Sequence, residues 1–339
     1  RRVEEPRKET EDQGQRRPEV VAMMSEPRAV ATGFITFESQ PVWLFSFSPK
    51  QSARRKRTSR MFRSLTVLAL AAVTACAQPP ATQTFPTPTV HTPGTIKLTY
   101  VGNEGVLISD GTKAVLIDGL HRKYDDDYLN PPPDVLAAME AGKPPFDQVR
   151  VVLVSHVHGD HFSAESVGLH LKNNPKAVLV SDAQKMGDIA RLYADHALIR
   201  DQTAELTPAW KQSIAYEKDG IKVTLLGMKH GSDRFWWIKN LGHIIEIGGK
   251  KLFHFGDADN TMENFAAFNL AAEKIDIAFI PYWFLLNENG RKLVRETIAA
   301  KHNIAVHISP QNADADAANV KKLSPGVDAF TKMLEERSY

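Results

Sequence analysis

Within one short stretch, His156-Val157-His158-Gly159-Asp160-His161, the chain presents three imidazoles and a carboxylate. They follow the apolar run Val149 to Val154, which stops abruptly at Ser155, the pattern of a buried strand that delivers a polar loop at its tip. His156 and His158, at i and i+2 past that tip, can converge on one ion. Asp160 and His161 are chain neighbours whose side chains diverge, so they suit a second ion better than the first. Imidazole and carboxylate are ligands for zinc and related divalent metals. The competing interpretation is a histidine-rich polar loop without a metal.

The elements around this loop are those of an α/β chain. Ile96–Tyr100, Val106–Ile108 and Ala114–Ile117 read as strands joined by the turns Gly102-Asn103-Glu104-Gly105 and Asp110-Gly111. Further strands are expected at 177–180, 223–226, 244–247, 251–255, 277–280 and 304–308, with Gly248-Gly249 turning one into the next. Helical stretches are expected near 134–141, 183–195, 261–273, 291–302 and 326–337. Strands in two runs with helices interleaved imply sheets packed on each other with helices outside.

The six-residue loop is similar to the H-x-H-x-D-H motif of the metallo-β-lactamase superfamily, and the resemblance extends from about Ile96 to about Lys332. It implies an αββα four-layer sandwich with a dinuclear site between the sheets. It also implies three further ligands. His230, in Gly227-Met228-Lys229-His230-Gly231, follows a strand and is favoured over His243, which sits inside a strand pattern. Asp257, in Phe255-Gly256-Asp257, matches the position that bridges both metals. His307, ending Ala305-Val306-His307, is preferred to His302. One metal would then take His156, His158 and His230, the other Asp160, His161 and His307, with Asp257 between them. The implied cofactor is a pair of zinc ions, with iron or manganese as alternatives. A shared water converted to hydroxide would be the nucleophile, with Asp160 and Asp257 as the catalytic carboxylates.

The retained Asp257, the 102–105 hairpin and the Ala305-Val306-His307 ending resemble most the lactonase and phospholipase-D-like branch, which implies a phosphodiester or lactone-type ester and a small-molecule or lipid-like substrate. The lone cysteine, Cys76, is used at the tether, which excludes the β-lactamase subclass with a cysteine ligand, and zinc β-lactamases generally lack the bridging aspartate. β-Lactam hydrolysis is therefore the alternative activity, and a non-catalytic, lipid-tethered binding protein is the alternative of another class. Trp236, Trp237, Tyr282 and Trp283 fall on expected loop edges and are candidates for an apolar substrate pocket; core or rim packing is the plainer role.

Upstream, Met61-Phe62-Arg63-Ser64, the apolar run Leu65 to Ala75 and Cys76 have the parts of a secretory signal. That run is too short for a membrane span, which needs about 20 residues. Val73-Thr74-Ala75-Cys76 resembles a bacterial lipobox, which implies lipid on Cys76, export, and an anchor on the periplasmic face of a membrane, the outer one given Ala77. Residues 77–93, rich in Pro, Thr and Gln, read as a tether, and 94–339 as the hydrolase domain. Residues 1–60 precede a complete-looking signal and are taken as translated upstream sequence or a disordered extension, with Met61 as the start. From Cys76 onward there are 28 Lys and Arg against 32 Asp and Glu, so nothing in the charge calls for a nucleic-acid partner.

Overall fold

The computed structural model describes residues 94–231 and 233–339. The expected extension, signal, Cys76 lipid site and tether, over 1–93, lie outside the described residues. No helix among the described residues is long and apolar enough to cross a membrane.

Fourteen strands are present among them. In chain order they are β1 (Lys97–Gly102), β2 (Gly105–Ser109), β3 (Ala114–Ile117), β4 (Val149–Leu153), β5 (Val178–Ser181), β6 (Thr203–Glu205), β7 (Ser213–Lys218), β8 (Ile221–Lys229), β9 (Lys239–Ile247), β10 (Lys250–His254), β11 (Ile277–Pro281), β12 (His302–Val306), β13 (Asp328–Ala329) and β14 (Glu336–Ser338). They form two seven-stranded sheets, in the orders β14-β1-β2-β3-β4-β5-β6 and β13-β12-β11-β10-β9-β8-β7. Each sheet has an antiparallel half, made by hairpins, and a parallel half, made by helical crossovers.

Alternation along the strands sorts their side chains into three apolar layers. Tyr100, Ile108, Val115, Val151 and Leu153 of the first sheet meet Val223, Ile245, Leu252, Phe279 and Ile304 of the second in the space between the sheets. The opposite face of the first sheet, with Leu116, Val152 and Leu179, packs under helices Pro133–Glu140, Ala164–Asn173 and Ala183–Leu192. The outer face of the second, with Phe253, Phe255 and Ala278, packs under Phe265, Phe284, Leu293 and Val320. The result is the expected αββα sandwich.

Several expected elements change. The helix predicted over 326–337 is instead β13, a turn and β14: Phe330 stacks on Tyr100 at 4.9 Å inside the inter-sheet layer, and the chain ends by pairing with β1. The 261–273 helix is broken into Met262–Phe265 and Leu270–Glu273 by Asn269 at φ 45°. The 291–302 helix stops at Ile298, where Ala299 turns left-handed, and His302 opens β12 as an exposed residue. Helices Ala164–Asn173 and Ala313–Leu323 and strands β6 and β7 were not expected.

Phe279 is almost fully buried between the sheets, so Phe279→Ala is expected to cost about 3–5 kcal/mol. Urea unfolding monitored by tryptophan fluorescence checks this; a loss below about 1 kcal/mol would contradict the packing described.

Candidate metal centre

Every expected ligand lies just past the C-terminal end of a strand. His156, His158, Asp160 and His161 follow β4, His230 follows β8, Asp257 follows β10 and His307 follows β12. β1, β3 and β4 share one direction in their sheet, as do β8, β10, β11 and β12 in theirs, so these ends gather along one edge of each sheet. Backbone pairing stops there and side chains become free to do chemistry.

Gly256 shows why the turn before Asp257 needs glycine. Its φ is +53°, and a Cβ there would stand 2.5 Å from the Ser155 side chain. The missing side chain lets the β10 turn come against the tip of β4.

The seven side chains fall into two groups. In the first, the rings of His156, His158 and His230 lie 4.7 Å apart in each pairing. His156 Nε2 and His158 Nδ1 are 3.0 Å apart. His230 Nδ1 lies 2.7 Å from the Gly231 carbonyl and donates to it, which turns Nε2 inward. In the second group, Asp160 Oδ2 is 3.3 Å from both His161 Nε2 and His307 Nε2. Asp257 stands between the groups. Its Oδ2 is 3.8 Å from His156 Nε2 and 3.7 Å from His230 Nε2, while its Oδ1 is 3.6 Å from both His161 Nε2 and His307 Nε2.

Supporting residues fix these orientations. Asp118, just after β3, accepts from the Ser155 amide at 2.7 Å, the Ser155 hydroxyl at 2.5 Å and His161 Nδ1 at 2.9 Å. A carboxylate holding the far nitrogen of a metal-facing imidazole is a recurrent feature of metal sites. Asn103 Nδ2 donates to Asp160 Oδ2 at 2.9 Å, and the Asn103 carbonyl accepts from the His307 amide at 2.9 Å. Lys185, fully buried, binds Asp182 at 2.6 Å and donates to the carbonyls of Ser155 and Lys239, tying the two sheets beside the site.

Burial, together with the neighbouring imidazoles, lowers His156 and His158, and burial lowers His230, so this group is neutral and its lone pairs are available. His161 goes the other way. Burial opposes its charge, but Asp160, Asp257 and Asp118 outweigh that and raise it well above the usual range. Asp160 is held well below its usual range: burial resists, and His161 and His307 prevail. Asp118 drops to about 2 against its own burial, through His161, His254 and Ser155.

The donor set fits divalent cations. His230 Nε2, His307 Nε2 and Asp257 Oδ1 are buried, converge on this cluster and have no hydrogen-bond partner, a costly arrangement unless something binds there. His243, the competitor of His230, is buried within β9 and takes no part in the cluster.

The aromatic candidates divide. Trp283 lies 4.8 Å from the His307 ring and lines a cleft of about 350 Å³ with His230 and Asp257. Trp236, strongly exposed, lines a cavity of about 470 Å³ that also reaches His230. Trp237 is half exposed and packs in no apolar layer, while Tyr282 packs on the outer helical layer. Two aromatics missed from the sequence also lie against the ligands: Phe235, 4.8 Å from His158, and Tyr128, 5.4 Å from His307. Asp118, Asn103, Glu104 and Lys185 were also missed as site residues. A polar residue directly after a strand, as in Ile117-Asp118, was the available signal.

A four-layer sandwich with two histidine and carboxylate clusters on its shared strand-end edge defines a metal-site protein of the α/β class. The family described as "Beta-lactamase superfamily domain" matches residues 97–307, and the chain belongs to that family. Among its relatives, a metal-dependent hydrolase of Thermus thermophilus is 26% identical over 247 residues, covering 69% of this chain and 94% of the relative. One from Pelotomaculum thermopropionicum is 30% identical over 197 residues, covering 55% and 72%. Similar solved structures include a metallo-β-lactamase fold protein from Bacillus subtilis (15% identity, TM-score 0.48, 72% of this chain and 99% of that one) and a metallo hydrolase from Ignicoccus hospitalis (16%, TM-score 0.47, 72% and 98%).

Because a metal must displace the His161 proton, binding at its position strengthens as pH rises. Zn2+ binding to metal-depleted protein at pH 7 is expected to release about one proton there. Calorimetric titrations in buffers of different ionisation heat read this directly; equal heats in all buffers would contradict it. Asp118→Asn, which keeps the shape but weakens the hold on His161, is expected to lower metal affinity by roughly 10–100-fold, checked by competition with a chromophoric chelator.

Proposed function

We propose that this chain is a metal-dependent hydrolase that holds two divalent cations and cleaves a phosphodiester or lactone-type ester. The carrying observation is the divided carboxylate of Asp257, one oxygen toward each histidine group. His156, His158 and His230 would hold one ion and Asp160, His161 and His307 the other. Relatives described as metal-dependent hydrolases support the reaction class. Zinc is the proposed metal.

Such ions, when bound, supply Lewis acidity and lower the pKa of water to ≈ 7. The chain's own residues do the positioning. Asp160, kept ionised and fixed by Asn103, accepts a hydrogen bond from the attacking water and sets its direction. Trp283, beside His307 at the cleft, provides an apolar wall for the substrate body and shields the reacting bond from bulk water. Attachment to a membrane through lipid on Cys76, with the enzyme exported, belongs to the same proposal; the mass of the mature N-terminus checks it.

Asp257→Ala is expected to lower kcat/KM by roughly 100-fold or more while circular dichroism is unchanged. The assay uses a panel of chromogenic phosphodiesters, lactones and a cephalosporin. Turnover that survives both this substitution and exhaustive chelation would refute the reading, and turnover of the cephalosporin alone would replace the substrate class.

A further inference from the structure

The tip of the β1–β2 hairpin carries a side chain that the two clusters above leave out. Glu104 is 1% exposed, and its Oε1 has no hydrogen-bond partner. A carboxylate oxygen of Glu104, a ring nitrogen of His161 and a carboxylate oxygen of Asp257 lie within 4.8 Å of one another. Donors on one ion are separated by no more than twice a metal–ligand bond of about 2.0–2.2 Å, roughly 4.0–4.4 Å; the 4.8 Å bound exceeds that by less than about 1 Å, so a small closing movement of these side chains would bring all three onto a shared cation.

His254 is the obvious competitor for Glu104, and the hydrogen bonds dispose of it. The Gly256 amide donates to His254 Nδ1 at 3.3 Å, which places the ring proton on Nε2. That proton goes to the Glu104 backbone carbonyl at 3.0 Å, while the carboxylate Oε2 is farther, at 3.5 Å. His254 therefore pins the backbone of Glu104 and leaves its carboxyl group free toward the centre. No lysine or arginine offsets the charge: among the described residues, the ion-pair partners of Glu104, Asp118, Asp160 and Asp257 are all histidines. Divalent cations would supply the positive charge that lets these carboxylates stay ionised where no water reaches.

We propose that Glu104 is a further residue of the metal centre, an oxygen donor to the position held by His161 and Asp257. It rests on the two-metal reading above. Its chemical consequence is a harder donor set at the second position than at the three-imidazole first position, one that admits Mn2+ or Fe2+ as well as Zn2+.

The test is a titration of metal-depleted full-length protein with Zn2+, and separately with Mn2+, giving stoichiometry and affinity for each position. Wild type is expected to bind two ions. Glu104→Gln, which keeps the shape and removes the charge, is expected to keep the first ion and weaken the second by about 10–100-fold. Glu104→Asp, which keeps the charge but withdraws it by one methylene, is expected to weaken the same ion and supplies the readout if the glutamine variant fails to fold. His158→Ala, by contrast, weakens the first ion. Two ions bound by either folded Glu104 variant as tightly as by wild type would overturn the proposal alone. Wild type that binds no ion would overturn the two-metal reading beneath it.

Discussion

A part-buried carboxylate whose two oxygens face two separate sets of imidazoles, with no lysine or arginine among its ion-pair partners, is the constraint around which this structure is organised. Asp257 Oδ1 has no hydrogen-bond donor, and the nearest groups are ring nitrogens at 3.6–3.8 Å. A buried carboxylate oxygen in that setting is costly unless positive charge lies between it and the rings. Its surroundings hold it there. Gly256 lets the turn approach Ser155, Asn240 Nδ2 donates to the Phe255 carbonyl at 2.9 Å, and the Ser155 carbonyl accepts from the Leu241 amide at 2.9 Å.

Because the ligands come from both sheets, the geometry of the centre depends on how those sheets are fixed to each other. The apolar layer between them sets the spacing, but hydrophobic contact is not directional. Direction comes from a few polar ties at the strand ends: His307 to Asn103, Leu241 to Ser155, and the Lys185 ammonium joining Ser155 to Lys239. Lys185 is the least obvious of these. Its burial depresses its basicity, while Asp182 and two carbonyls compensate the ammonium where no water reaches. A group of this kind matters for where the loops sit more than for overall stability.

Much of this was legible in the sequence, and what was not has physical reasons. The grouping of these histidines and aspartates could be read because each lies at or within a few residues of the end of an apolar strand pattern, where period and chemistry change. Strands with strongly apolar patterns were found for the same reason, β8 through partial alternation and β11 as a continuous buried run. β7 was not, because it is a short edge strand whose inward face carries only Ile214 and Tyr216 before it turns polar, too brief an alternation to stand out. The last segment misled for a tertiary reason: Val327, Phe330 and Met333 have helical spacing, yet Phe330 is drawn onto Tyr100 and the chain end onto β1. Asp118 and Asn103 were not legible as site residues because each acts through a neighbour distant in sequence, and Glu104 because the side chains it faces lie far along the chain.

The central claim is that two cations occupy this cluster with Asp257 between them. Anomalous-difference density from crystals grown with Zn2+, collected at the metal absorption edge, measures it most directly. Two peaks about 3.5–4 Å apart are expected, one among His156, His158 and His230 and one among Asp160, His161 and His307. A single peak touching only one group, or none in the cluster while zinc binds elsewhere, would contradict it.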